Sequence, residues 1–367
     1  MRLFSSTGLI DRRTLLRAAG GTFLAGLAPR AAMALQDTDA VFASAYYDGD
    51  GGYGIALLAE DGTVIHRYAL PERGHDAVFD PRGERVVVFA RRPGTFAAAI
   101  DLRKDTEPLV FHAPQGRHFY GHGCFSADGK LLYSTDNDYD NARGVIGVHD
   151  ATDGFRRIGE FFSGGIGPHD MTVLPDGRTM LIANGGLETH PDYGRTVLNV
   201  ATMKPNLTFV DLADSRILSV HELAPHLQKL SIRHLAMMED GTTWFASQNQ
   251  GDIHEPLPLA GSISPDGNVR LLDLAPEDLR LMRGYVGSVA ANNRTGAVVL
   301  TSPQGNTALE IEGASGAVRE RVTLPDICGA ADRGDGFLLS SGMGVMDGHQ
   351  TQLAWDNHIV RRPGNPA

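Results

Sequence analysis

Four histidines precede four similar turns in this 367-residue chain. The stretches are GHDAVFDPRG from Gly74, GHGCFSADG from Gly121, PHDMTVLPDG from Pro168 and RHLAMMEDG from Arg233. They put His75, His122, His169 and His234 seven or eight residues ahead of a turn glycine. Neutral imidazole is a ligand for iron, copper and zinc, so rings brought to one point would form a nitrogen-donor cage. In GSVAANNRTG from Gly287 and ICGAADRGDG from Ile327, the same count falls on Ser288 and Cys328. Cys124 follows His122 by two residues and in a regular strand shares its face. Cys124 and Cys328 are therefore accessory soft-ligand candidates, against the plainer reading of buried, inert thiols. Asp76 and Asp170 directly follow two of the histidines. Strand alternation sends their side chains to the opposite face, where they serve at most as acceptors for an imidazole N–H on a neighbouring unit.

Whether the histidines can meet depends on the elements that carry them. After each turn comes a second apolar run: RVVVFA, LLYST, TMLIANG, TWFASQ, AVVLTS and FLLSSG. His75 to His122 is 47 residues and His122 to His169 is again 47, while His234 follows after 65 because residues 186–205 are inserted. A unit of ~40–50 residues with about four short strands is the period of a β-propeller blade. The length then predicts an all-β, seven-bladed propeller in a single domain over residues 35–367. Strands around AVFASAYY, YGIALLA and TVIHRYAL share the closing blade with C-terminal residues. A sandwich or β-helix fits the long period less well. APEDLRLM, residues 275–282, is the one local helix candidate.

Blades surround an axis, so equivalent innermost positions converge. Two other readings compete with a metal cage. One is the buried Gly-His tetrad of WD-type propellers, but the spacing to the turn is too short and the aromatic-aspartate partner is missing. The other is that the histidines simply pack the channel wall. The insertion contributes His190, a loop over one mouth of the channel, either a lid or further ligand or else a solvated side chain. Arg195 and Lys204 in the same insertion could draw an anionic group toward that mouth. Asp136, Asp138 and Asp140 faintly resemble a calcium loop but lack its glycine and distal glutamate, so a solvated turn is the better reading.

The N-terminus predicts export. Asp11-Arg12-Arg13-Thr14-Leu15-Leu16 precedes a short Ala/Gly-rich apolar segment, and Ala32-Met33-Ala34 offers a cleavage site, the layout of a twin-arginine signal peptide over residues 1–34. The apolar segment contains Arg17 and is short for a membrane span. The mature protein is expected to be periplasmic and to cross the membrane folded. The leader holds Arg2, Arg12, Arg13, Arg17 and Arg30 against Asp11, so the mature part is more acidic than the −11 of the whole chain. Such a surface argues against nucleic acid or anionic membrane as partners. Two cysteines in separate units exclude a disulfide framework.

The runs FYGHGCFSADGKLLYSTDND, GGIGPHDMTVLPDGRTMLIANGG, LETHPDYGRTVLNVATMKPNL and LSIRHLAMMEDG resemble an uncharacterised exported bacterial family, domain-of-unknown-function family 1513. The resemblance implies a periplasmic propeller of the YVTN or quinoprotein-like kind, encoded beside imelysin-type iron-uptake proteins. It tilts the metal toward iron, with copper next. It assigns no activity and no catalytic residue; His122, His169, His190 and His234 are its matching positions. Two functions follow as expectations. One is an axial four-histidine metal site in iron handling or metal-dependent redox chemistry. The alternative is a metal-free propeller that binds protein partners for a periplasmic iron-uptake system. A lactonase-type or dehydrogenase propeller, built on axial oxygen ligands, fits the histidines poorly.

Overall fold

The computed structural model describes residues 40–104 and 106–364. The predicted signal peptide lies outside the described residues. Seven four-stranded antiparallel sheets are arranged as a β-propeller, as the period predicts. The blades, innermost strand first, begin with β4 (Gly74–Phe79), β5 (Arg85–Ala90), β6 (Phe96–Asp101) and β7 (Leu109–His112). The next is β8 (Arg117–Phe125), β9 (Leu131–Asp138), β10 (Arg143–Asp150) and β11 (Arg156–Phe162). Then come β12 (Pro168–Val173), β13 (Thr179–Asn184), β14 (Asn206–Asp211) and β15 (Arg216–Glu222). The fifth sheet from the N-terminus starts with β16 (Leu230–Met237), β17 (Thr243–Asn249), β18 (Ala260–Ile263) and β19 (Val269–Leu271). β20 (Ser288–Asn292) opens the next, with β21 (Ala297–Ser302), β22 (Thr307–Glu312) and β23 (Val318–Thr323), followed by β24 (Ile327–Asp332), β25 (Phe337–Ser341), β26 (Val345–Met346) and β27 (His349–Gln350). The closing blade joins both ends of the chain: β28 (Ala354–Arg361) is innermost, beside β1 (Phe42–Tyr47), β2 (Tyr53–Leu58) and β3 (Val64–Leu70). The predicted helix is a short α1, Pro276–Met282.

Strand alternation builds the core. In β5, Val86, Val88 and Ala90 pack toward the closing blade, while Val87 and Phe89 pack toward the blade of β8. The same division recurs around the ring. Each of seven apolar clusters fills one gap between neighbouring blades. Continuous apolar runs in second strands, such as RVVVFA, are therefore strands buried on both faces.

The innermost strands depart from regular pairing where the histidines sit. On β12 the partner register steps from Pro168 to Asp170, leaving His169 unpaired; on β16 it steps from Ile232 to His234, leaving Arg233 unpaired. Register also slips at His75–Asp76 on β4, at Tyr120–His122 on β8, at Cys328–Gly329 on β24 and at Asp356–His358 on β28. These are β-bulges, which re-aim side chains that alternation would send elsewhere.

The insertion folds back on the ring. Asn137 Nδ2 donates to Thr189 O at 2.9 Å, and Asn199 closes the loop on Gly186 O at 2.8 Å and on Glu188 N at 2.8 Å. Asp136 and Asp138 belong to β9 rather than to a solvated turn, while Asp140 lies in the exposed turn that follows, as expected. Asp136 is fully buried and takes Arg157 Nη1 at 2.6 Å, and Asp138 pairs Arg117 at 2.8 Å. A chain ending at Leu353 lacks β28, and we expect it to lose the cooperative thermal transition of the full chain, read by circular dichroism or calorimetry.

Candidate functional site

Five histidines, one more than the sequence count found, meet on the axis. His75, His122, His169 and His234 converge as expected, and His358 from β28 joins them; all five are buried. Ring centroids lie 4.6 Å apart for His122–His169, 4.7 Å for His169–His234, 4.7 Å for His234–His358 and 4.8 Å for His75–His358. His75, His122 and His169 offer ligand atoms within 4.8 Å of one another, and so do His122, His234 and His358. With metal–nitrogen bonds of ~2.1 Å, ligand nitrogens around one ion stand ~3–4 Å apart, so small ring movements suffice. Close approach depends on Gly121 in the β8 bulge. Its φ is +109°, and a Cβ there would lie 2.5 Å from His75 Cδ2.

The flanking residues face the channel too, which corrects the expected orientation of Asp76 and Asp170, while Asp76 is placed as the expected acceptor for an imidazole of the neighbouring unit. Asp76 Oδ2 stands 2.9 Å from His122 Nδ1, and Asp170 Oδ1 3.7 Å from the same nitrogen. The bulge adds a residue, so a histidine and its successor no longer alternate. A carboxylate on Nδ1–H fixes the tautomer and leaves Nε2 as a free lone pair. His75 has the same arrangement, with Nδ1 3.1 Å from Asp356 Oδ1. Asp356 is buried and also receives Arg73 Nε at 2.6 Å and Arg91 Nη1 at 2.9 Å. Burial opposes its ionisation, but the His75 hydrogen bond and the Arg91 and Arg73 charges outweigh that and hold the carboxyl below its usual range.

The rings themselves are kept neutral. Burial is the largest cause in each, pushing His75, His169 and His234 well below the ordinary histidine range, lowering His122, and bringing His358 to about 4. Yet His122 Nε2, His169 Nδ1, both nitrogens of His234 and His358 Nε2 are buried without a hydrogen-bond partner among the described residues.

The two ends of the channel differ in charge. Toward the ends of the innermost strands, a cavity of about 220 Å³ is lined by Asp76, Asp170 and Asp332 with His122, His234 and His358, against a single arginine, Arg361. Burial first raises Asp76 and Asp170 to about 6. Toward the strand beginnings, His75, His169 and His234 face Arg91, Arg92, Arg195 and Arg233.

The accessory candidates lie elsewhere. Cys124 does not share the histidines' face, because the bulge shifts the register; it packs with Tyr133 and Met171, and burial pushes its thiol up. Cys328 Sγ reaches Asp356 O at 3.4 Å, its thiol pushed up to about 12, and both cysteines are free. His190 caps a short turn, its Nδ1 accepting from Asp192 N at 3.2 Å, beside Asp140 at 3.4 Å. None of these three belongs to a group of converging ligand atoms among the described residues. Ser288, in the regular β20, has no bulge to re-aim it.

Because Asp356 holds three cationic or donor groups, Asp356→Asn should destabilise the metal-free protein by about 3 kcal/mol in urea unfolding. That is the low end for breaking a buried pair, since half-exposed Arg73 can be hydrated.

The fold is widely shared. Hydrazine synthase of Kuenenia stuttgartiensis matches with a TM-score of 0.61 at 15% identity, covering 81% of this chain and 89% of that one. A chain of a nidogen/laminin complex matches with a TM-score of 0.50 at 13% identity, covering 88% and 97%. At such identities the likeness is one of fold. No curated protein matches the chain by sequence. No helix among the described residues is long and apolar enough to cross a membrane. Residues 68–362 match the family model described as "Protein of unknown function (DUF1513)", and the chain belongs to that family.

Proposed function

We propose that the five axial histidines bind one transition-metal ion, iron first and copper next, for iron handling or metal-dependent redox chemistry. The observation that carries this reading is the set of five buried ring nitrogens without protein partners, on four histidines that belong to the two groups of ligand atoms lying within 4.8 Å of one another. A buried polar atom left unpaired costs about 1–3 kcal/mol, and a bound ion would satisfy several at once. Neutral imidazoles suit iron, copper or zinc. His122, common to both groups of converging nitrogens, has its Nδ1–H directed at Asp76 and its Nε2 free. The carboxylates of the acidic mouth would attract a cation and compensate its charge. An ion held there could supply redox or Lewis-acid chemistry; the protein's own part is to keep the rings neutral, fix two tautomers and bury the site.

The preference for iron rests on the association with imelysin-type proteins that the sequence resemblance implies. Export by the twin-arginine route and service beside periplasmic iron-uptake partners belong to the same reading.

The test is elemental analysis of protein purified from a periplasm. The wild type should carry about one equivalent of iron or copper. His122→Ala/His169→Ala should carry none while keeping the propeller's circular dichroism. Asp76→Asn, which keeps the ligands but loses the anionic acceptor, should weaken metal binding 10–100-fold. A folded wild type that takes up no metal after reconstitution with ferrous or cupric ion would overturn the proposal and leave the metal-free, partner-binding propeller.

A further inference from the structure

The arginine end of the channel carries a second inference, independent of the metal. The small cavity over His75, His169 and His234, about 60 Å³, is lined by Arg91, Arg92, Arg195 and Arg233 and by no acidic residue. Arg91 is balanced by Asp356. Arg92, Arg195 and Arg233 have no carboxylate within ion-pair distance among the described residues. Arg233 is the telling case. It is 8% exposed, and its Nε has no hydrogen-bond partner; Arg92 Nη1 is likewise buried and unpartnered. The buried hydroxyl of Tyr120 lies in the same wall. Burial and the neighbouring Arg92 charge bring the Arg233 guanidinium down to about 10, still protonated at neutral pH. A buried, unpaired cation such as Arg233 is costly, and the half-buried Arg92 and exposed Arg195 beside it add like charge. Guanidinium groups match oxyanions in pairs of parallel hydrogen bonds.

The cavity adjoins a larger one. Arg91, Tyr285 and Asn357 line both, and the outer space of about 500 Å³ adds Arg73, Tyr53 and Trp355 together with two carboxylates, Asp326 and the Asp356 that Arg73 and Arg91 already pair. The inner cavity suits a single carboxylate or phosphate group; the outer one is in the range that holds small organic ligands.

We infer that this end of the channel binds a small organic polyanion, its oxyanion head on Arg92, Arg195 and Arg233 and its body in the outer cavity. The head would sit against His169 and His234, so the anion and any ion on the axis would be neighbours. Anion binding itself needs no metal.

The test is calorimetric titration of the full mature protein, stripped of metal with 1,10-phenanthroline, an uncharged chelator that does not compete for the arginines. The probes are citrate and inorganic phosphate. Citrate is expected to bind, to weaken as salt rises, and to lose at least tenfold in affinity in Arg233→Gln and severalfold in Arg195→Gln. Arg195 is exposed in the insertion, so its replacement leaves the fold intact. Arg233→Gln should not lower the melting temperature, since it removes an unpaired buried charge. Lys204→Gln, exposed in the insertion and outside the cavity lining, should bind like the wild type. Citrate at least tenfold tighter than phosphate assigns the organic class. Equal affinities would overturn the organic body and leave a bare oxyanion site. No binding of either probe at millimolar concentration, or affinity unchanged in both arginine variants, would overturn the site altogether. Because the titration uses metal-free protein, these outcomes are separate from the metal analysis.

Discussion

Closure of the ring rests on one antiparallel ladder, β28 against β1, and that ladder also completes the site. A propeller ring is held shut when the two ends of the chain pair within one blade, as β28 and β1 do. Here the last strand is innermost, pinned by the pairs from Phe42–Arg361 to Tyr47–Ala354 and by Ser44 Oγ donating to His358 O at 2.8 Å across 314 residues of chain. Its bulge delivers Asp356, Asn357 and His358 to the channel. Asp356 then gathers Arg73, Arg91 and His75. Folding of the ring and assembly of the histidine cluster are therefore one event: without β28 the fifth ring is missing and a buried carboxylate no longer offsets the cations of the next blade.

The blade period was legible in the sequence because each turn follows an apolar run at a constant distance, and four histidines could be read against that ruler. His358 escaped it. It lies in WDNHIVRR, near the end of the chain, with no following hairpin to count back from. The available signal was architectural: a blade closed by C-terminal residues must contribute an inner strand, and a histidine midway along it belongs to the ring. The orientation of Asp76 and Asp170 was illegible for another reason. Alternation is a rule of regular pairing, and an unpaired residue inverts it locally. Nothing in GHDAVF or PHDMTV marks the slip, which shows only in the cross-strand partners.

The bulges also explain how segments of three or four residues carry two or three chemistries along one axis. In RGHD, residues 73–76, the arginine faces one mouth, the histidine the centre and the aspartate the other mouth. IRHL around His234 supplies arginine and histidine, and PHD around His169 supplies histidine and aspartate. In a flat strand, neighbouring side chains would lie on opposite faces of the blade and one would be buried between sheets. Bending the strand at the histidine keeps both on the channel. The result is a channel with cationic and anionic ends separated by buried, neutral rings, where charges are screened less than in water.

That arrangement is hard to explain as packing. Five buried imidazoles leave ring nitrogens without a protein hydrogen-bond partner among the described residues, and a buried polar atom left unsatisfied costs about 1–3 kcal/mol, more than a typical hydrogen bond contributes net. Apolar side chains of similar size would fill the same space without that cost, as they do in the seven gaps between blades. The glycine at 121 sharpens the point, since its missing side chain makes room for the His75 ring rather than for an apolar contact. Neutral rings held close together, two of them with their tautomers fixed by carboxylates, are well suited to holding a cation. The unpaired arginines at the opposite mouth follow the same logic with the sign reversed.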